Sequence, residues 1–88
     1  MAEERPILAR DVKTGDKHYY RNITFEIVEV MDTRDFNKRP MKIISYRIID
    51  RDFVSPVAHL FLYPHDNVRN YIKQVIDTYL QARSSIRR

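Results

Sequence analysis

The chain of 88 residues contains no cysteine and no tryptophan, and Gly15 is its single glycine. The lack of cysteine excludes disulfides and the thiolate ligands that structural zinc sites usually recruit. With one glycine, the glycine-rich loops that bind phosphates are excluded as well. The sequence also lacks a run of about 18 apolar residues and the basic, then apolar, start of an export signal. These absences predict a cytoplasmic protein that does not enter the membrane.

The length predicts one small domain, because a chain this short cannot build two cores. We expect a single α+β domain over residues 1–83, followed by a flexible basic tail over residues 84–88. Hydrophobic residues make up 43% of the chain, which is enough for a modest core. Since no disulfide supplements that core, self-association is the expected additional source of stability.

The formal net charge is +4, from 16 lysines and arginines against 12 carboxylates, and it is unevenly distributed. Residues 34–55 contain six lysines and arginines against three aspartates, whereas residues 23–33 contain three acidic residues and no basic one. The basic middle segment therefore predicts a surface that meets a polyanion. The alternative is a solvated surface of mixed sign without such a partner.

Five segments have strand character. Ile23–Met31, Met41–Ile49 and Val57–Tyr63 are rich in β-branched and aromatic residues and alternate in polarity, and shorter strands are predicted at Ile7–Val12 and Lys17–Arg21. Within the first of these segments the apolar residues change phase, which predicts a β-bulge or a strand covered on both faces. Because the strands are short and consecutive, we expect an antiparallel meander.

After Pro64 the spacing of apolar residues changes from two to about 3.6, which predicts an amphipathic helix. Asp66 is the expected N-cap, because its carboxylate can accept hydrogen bonds from N–H groups of the first turn. Arg83 is expected to complement the negative end of the helix dipole. The apolar helix positions are Val68, Ile72, Val75, Ile76 and Tyr79.

These elements together predict an α+β fold. A short antiparallel β-meander of four to five strands is followed by one carboxy-terminal amphipathic helix. That helix is expected to pack on the sheet or to lie in a dimer interface.

The sequence offers few groups for catalysis. His59 and His65 with Asp66 form the one cluster that resembles a metal site, and it lacks the cysteines and tight ligand spacing of structural zinc. The serines have none of the glycines that surround a nucleophile elbow. We therefore predict that the protein is not an enzyme and uses no metal and no cofactor.

Two loops share a pattern of acidic residue, arginine and phenylalanine. Asp32–Phe36 follows the first long strand, and Asp50–Phe53 follows the second. A ring beside an arginine can stack on an unpaired base while the guanidinium contacts a phosphate. The alternative is two independent charged turns, each anchored by a phenylalanine under the sheet edge.

The junction between the last strand and the helix carries a family resemblance. His59–Val68 reads as a strand that enters a helix through an alternating apolar–polar run and a proline, and Lys42–Ile49 is a hydrophobic strand with Arg47 inside it. Over Ile23–Leu80 the chain resembles the single-stranded DNA-binding transcriptional coactivators of the positive cofactor four type, which are related in fold to the Whirly proteins.

The resemblance implies a homodimer that pairs through its helices, and a sheet surface that holds unpaired strands with basic and aromatic side chains. The nucleic-acid-binding residues that it indicates are Arg34, Phe36, Lys38, Arg39, Lys42, Arg47, Arg51 and Phe53. Tyr46 is a further candidate for stacking, although its phase with Ile44 and Ile48 predicts a core position. The predicted dimer or partner interface consists of Phe61, Tyr63, Val68, Ile72, Val75, Ile76 and Tyr79.

The sequence therefore predicts a non-enzymatic protein that binds single-stranded nucleic acid, DNA more than RNA, through a basic sheet and hairpin surface. The alternative is a small protein-interaction module, such as a regulatory subunit or an inhibitor of a larger nucleic-acid-processing complex. The strand Val57–Tyr63, which is apolar on both faces, and the acidic residues 23–33 favour that alternative, because a pure polyanion binder requires neither.

Overall fold

A computed structural model describes residues 5–86 as one antiparallel sheet followed by one long helix, which confirms the α+β prediction. A short 3-10 helix, Ala9–Asp11, precedes the sheet. The strands are β1 (Lys17–Tyr20), β2 (Ile23–Arg34), β3 (Pro40–Asp50), β4 (Phe53–Val54) and β5 (Ala58–Leu62), and the helix α1 spans Val68–Ile86. No helix in this part of the chain is long and apolar enough to cross a membrane.

The strands form the predicted meander. β1 pairs with β2, β2 with β3, and both β4 and β5 pair with the remaining side of β3. Between β4 and β5, Ser55 continues the ladder, since its N–H donates to the carbonyl of Ile48 at 2.9 Å and its hydroxyl accepts from the N–H of Ile48 at 2.8 Å. Pro56 then interrupts the strand, because proline has no N–H to donate.

The predicted β-bulge is present. The register of β2 against β3 shifts between Ile27 and Glu29, where β2 contains one more residue than its partner. Before the shift Phe25 and Ile27 face the helix, and after it Val30 does. The change of phase in the sequence therefore reflects the extra residue of a bulge. This residue keeps the apolar side chains of β2 on one face of the sheet.

The core lies between α1 and the sheet face that it covers, which we call the helix face. Phe25, Ile27, Ile44, Val68 and Ile76 are the largest fully buried side chains. The ring of Tyr46 stacks on that of Phe25 with centroids 4.5 Å apart and packs against the core, as its phase with Ile44 and Ile48 predicts, so it is not a platform for bases. Hydrophobic burial between these two layers is the main stabilising term.

The helix packs on the sheet of its own chain. Val68, Ile72 and Ile76, which were predicted for a dimer or partner interface, are buried in this core and face no outside surface. Val75 and Tyr79 are partly buried against it. The physical reason is that the helix has one apolar stripe, and the apolar sheet face leaves that stripe no free area.

The prediction of a strand at Ile7–Val12 is wrong. Ala9–Asp11 is a 3-10 helix whose first residues bond to the segment before α1: the N–H of Ala9 donates to the carbonyl of Asp66 at 2.9 Å, and that of Arg10 to Pro64 at 3.0 Å. These bonds join two segments far apart in the sequence, so local periodicity does not reveal them.

The helix N-cap is Asn67 instead of the predicted Asp66. The side-chain carbonyl oxygen of Asn67 accepts from the N–H of Arg69 at 3.1 Å and from the N–H of Ile7 at 2.9 Å. Asp66 closes the preceding turn, where its carboxylate accepts from the N–H of Tyr63 at 2.8 Å.

The carboxy-terminal half of α1 is tied to the end of β3. The carboxylate of Asp50 accepts from the hydroxyl of Tyr79 at 2.7 Å and from the guanidinium of Arg83 at 2.5 Å. These two donors lower the pKa of Asp50. The helix continues through Ser84, which was predicted to begin a flexible tail, as far as Ile86; residues 87 and 88 of that tail lie outside the described residues.

Truncation of two phenylalanines tests this core. Phe25→Ala removes a fully buried ring that stacks on Tyr46, and it should lower the free energy of unfolding by about 3–5 kcal/mol. Phe36→Ala removes a fully exposed ring and should change it by less than about 0.5 kcal/mol. Urea unfolding followed by circular dichroism measures both. Equal losses in the two variants would contradict the assigned core.

Candidate nucleic-acid interface

The loop between β2 and β3, residues 35–39, is organised by Asp35. One oxygen of its carboxylate accepts from the backbone N–H groups of Asn37 at 2.8 Å and Arg39 at 2.9 Å, and the other from the hydroxyl of Tyr63 at 2.7 Å. The N–H of Asp35 also donates to the carbonyl of Arg39 at 3.0 Å. Aspartate commonly caps turns in this way, and here it holds the loop against the end of β5.

The same contacts shift the pKa values of Asp35 and Tyr63. The hydroxyl of Tyr63, the backbone N–H groups of Arg39 and Asn37 and the nearby charge of Arg39 hold the pKa of Asp35 below its usual value. Reciprocally, the hydrogen bond to Asp35 raises the pKa of Tyr63. The carboxylate is therefore stabilised in its charged form while its oxygens are engaged by donors of the protein.

The loop presents one aromatic ring and three cations. Phe36 is fully exposed, at 105% of its reference area, and it packs against no core residue. Arg34, Lys38 and Arg39 are exposed and lie within three positions of it along the chain, and we call these three side chains the loop cations. Arg34 donates to the carbonyl of Lys38 at 2.8 Å, and Lys38 adopts a positive φ of 65°. The loop thus exposes a ring and positive charges on a hydrogen-bonded frame.

A groove of about 520 Å³ adjoins this loop. Arg10 and Arg34 line it together with Lys42, and Pro64 closes one side. Arg10 reaches the groove because its backbone N–H is bonded to the carbonyl of Pro64. Lys42 is neutralised there by Asp32, whose carboxylate lies 2.6 Å from the lysine Nζ.

Most cations at this end of the sheet have no acidic partner. Within residues 5–86, the ion pairs of lysines and arginines engage Arg21, Lys42, Arg47 and Arg83. Arg10 and the loop cations are in none of these pairs. Their charge therefore remains available to an anion, whereas the paired cations would first have to leave a carboxylate.

The structure brings together Arg34, Phe36, Lys38 and Arg39 from the predicted nucleic-acid site, with Lys42 beside them. Arg47 lies in the middle of β3 on the face turned away from α1, which we call the outer face, and it pairs with Glu26 at 2.6 Å. Arg51 and Phe53 lie beyond the other end of β3, at roughly 33 Å for ten residue steps. The eight predicted residues therefore do not form one surface.

Phe53 has a structural contact that the sequence pattern does not show. Its ring stacks on Tyr79 of α1 with centroids 5.7 Å apart, so it is engaged on the helix face. Arg10 is the opposite case, since it lines the groove and sequence reasoning missed it. Only the backbone bond from Arg10 to Pro64 brings it to the site, and no local pattern signals that bond.

Ser45 and His59 form a further polar pair on the outer face of the described sheet. The hydroxyl of Ser45 lies 2.9 Å from Nδ1 of His59, but Ser45 is only 5% exposed. Glu29 is the cross-strand neighbour of Ser45 on β2, whereas His59 lies on β5, on the other side of β3. Within residues 5–86, no carboxylate is therefore seen to orient the histidine as in a hydrolytic triad. No cluster of three or more metal-ligating side chains is present among residues 5–86.

Comparison with known proteins finds no match among protein-family profiles, curated protein sequences or solved structures.

The Asp35–Tyr63 contact can be tested by titration. Tyr63→Phe removes one donor, so the pKa of Asp35 should rise toward its ordinary value of about 3.9 but stay below it, because the backbone donors remain. Carboxyl-detected NMR across the acidic range measures this pKa. Since the folded pKa is the lower one, the stabilisation by Asp35 is complete above about pH 4 and is lost as the pH falls through the folded pKa. An unchanged pKa in the variant would refute the contact.

Proposed function

We propose that this protein binds single-stranded nucleic acid at the loop of residues 35–39 and the adjoining groove. It does so as a non-enzymatic intracellular protein without a cofactor. The observation that carries the proposal is a fully exposed phenylalanine next to arginines and a lysine that form no ion pair with a carboxylate of residues 5–86. An exposed ring costs solubility and adds nothing to this core, so its position is best explained by a ligand with an aromatic face.

Unpaired bases fit this surface better than a duplex. Phe36 can stack on a base only when the base is free of its own neighbours, and base–aromatic stacking is sequence-tolerant because every base has a π-face. Arg10, Arg34, Lys38 and Arg39 would contact the phosphates on either side. The preference for DNA over RNA rests on the family resemblance alone.

The loop is suited to this role because it is already ordered. Asp35 makes four hydrogen bonds within the loop, with Asn37, Lys38 and Arg39, and Tyr63 holds it from the end of β5. A surface that is ordered before binding loses less conformational entropy when the ligand arrives. The side chains of the loop cations then have to be ordered, but the backbone does not.

A second candidate function is supported by the outer face. Four of the exposed large hydrophobic residues, Tyr19, Met31, Val54 and Phe61, lie at strand positions that face away from α1. A sheet face with several exposed apolar side chains is typical of a protein-interaction surface. This observation favours the alternative of a regulatory subunit or inhibitor that docks on a larger complex.

The phosphate contacts are tested by neutralising three cations at once. Replacing Arg10, Lys38 and Arg39 by Gln should weaken binding to single-stranded DNA and make the slope of log K against log salt concentration less steep by about 2, at roughly 0.7 per lost contact. Fluorescence anisotropy with a labelled oligonucleotide over several salt concentrations measures both quantities.

The matched control replaces Lys13, Lys17 and Arg51 by Gln. It removes the same charge from exposed positions elsewhere, and Arg51, like Lys38, has a positive φ. Its salt slope should stay close to that of the unmodified chain. If both triple variants lose affinity equally, binding depends only on the net positive charge of the protein, and the proposed location of the site is wrong.

The stacking contact is tested separately. Phe36→Ala should weaken binding to single strands by about 1–3 kcal/mol, the usual value for one stacked base, with an unchanged salt slope. Tyr19→Ala removes a ring that is also exposed, at 72%, but lies on β1 away from the loop, and it should leave affinity unchanged. Parallel titrations with duplex DNA should show weaker binding and little effect of Phe36→Ala. Full affinity for single strands in that variant would exclude stacking by this ring.

A further inference from the structure

β5 is an edge strand with a free side. It pairs with β3 through five residue pairs, from Ala58 opposite Tyr46 to Leu62 opposite Lys42. Within residues 5–86 no other strand pairs with it. An edge of this kind presents unpaired backbone donors and acceptors to any strand that approaches it.

The side chains of β5 leave this edge without the usual protection. Natural edge strands carry charged residues, bulges or prolines that discourage pairing. β5 reads Ala-His-Leu-Phe-Leu and contains no lysine, arginine, aspartate or glutamate. The opposite edge of the sheet differs, because Lys17 lies on β1 and Asp32 and Arg34 lie on the free end of β2.

The direction in which the N–H and C=O groups of β5 point can be derived from the hydrogen bonds of β3. Ile48 exchanges two hydrogen bonds with Ser55, so its N–H and C=O face the β4 and β5 side. Alternation along the antiparallel ladder then turns Leu60 and its even-numbered neighbours toward β3. The N–H and C=O groups of His59 and Phe61 therefore point away from β3, toward the free side.

We propose that a second copy of this chain pairs antiparallel with β5, with Leu60 on the twofold axis. This register places His59 of each copy opposite Phe61 of the other, where the two residues exchange both backbone hydrogen bonds. Four backbone hydrogen bonds then join two five-stranded sheets into one continuous sheet. The proposal does not depend on nucleic-acid binding.

Two features of β5 favour pairing with a second copy. The strand has no acidic residue, lysine or arginine, and the pairing covers the exposed side chain of Phe61. No like charges meet in the antiparallel register, since His59 faces a phenylalanine. The two Phe61 rings become diagonal neighbours about 7–8 Å apart on the outer face, within reach of each other. Phe61 is 62% exposed in the single chain and would lose most of that exposure. Leu60 meets its own copy on the helix face.

The helix does not compete for the second copy. Val68, Ile72 and Ile76 of its apolar stripe are buried in the chain's own core, so they are not accessible for the helix pairing that the family resemblance implies. An edge pairing through β5 leaves α1 and the loop of residues 35–39 unobstructed. Each copy therefore keeps its groove.

Sedimentation equilibrium of the purified full chain tests the proposal. We expect a mass about twice the 10.7 kDa of one chain, with dissociation on dilution. Phe61→Lys should raise the dissociation constant about a hundredfold, because two buried rings are lost and two charges approach each other. Tyr19→Lys, an exposed aromatic on the other edge, is the matched control and should not change it. Circular dichroism confirms that each variant is folded.

A disulfide test fixes the register. In the proposed pair Leu60 lies opposite Leu60 of the second copy at a non-hydrogen-bonded position, where Cα atoms are about 4.5 Å apart and a disulfide can form. Since the chain has no cysteine, Leu60→Cys should give a crosslinked dimer under mild oxidation, whereas Tyr19→Cys should not. A monomer at all concentrations, or a dimer that Phe61→Lys leaves intact and Leu60→Cys does not crosslink, would overturn the proposal.

Discussion

Helix α1 brings one apolar stripe to a sheet that has two faces and two edges. Val68, Ile72 and Ile76 of the helix share one core with the buried side chains of the sheet, which include Phe25, Ile27 and Ile44. Everything else about the molecule follows from the limited reach of that contact. This contact between helix and sheet leaves the outer face, the β5 edge and the loop between β2 and β3 uncovered within residues 5–86, and the proposed partners meet the chain at these places.

The regular elements were predictable from the sequence because their periodicity reports burial directly. The strands β2 and β3 and the helix α1 agree with their predicted ranges to within a few residues, and even the bulge is visible as a change of phase. The failures have a common cause. The 3-10 helix at Ala9–Asp11 and the N-cap at Asn67 depend on bonds to residues about sixty positions away, and the two-residue strand β4 is too short to show a period.

The candidate site shows the same division. The basic middle segment was visible as a charge excess, and the loop cations and Phe36 lie together in or beside the loop between β2 and β3. However, a strand of eleven residues distributes its side chains over two faces and two ends, so Arg47 and Phe53 became structural contacts far from the loop. Arg10 joined the site only through the tertiary fold. Charge counts along the sequence indicate which segment is basic. The topology decides which basic side chains of that segment lie on one surface.

The bulge in β2 has a consequence for the direction in which the loop cations point. Side chains alternate along a strand, so an uninterrupted β2 would place Glu29 and Met31 on the helix face and turn Arg34 to the outer face. The extra residue reverses that order, and Arg34 instead lies on the same side as Asp32 and Lys42, bordering the groove that Arg10 also lines. One extra residue thus decides on which face of the sheet Asp32 and Arg34 lie. Without that residue the same arginine would lie on the opposite side of the sheet, away from the groove.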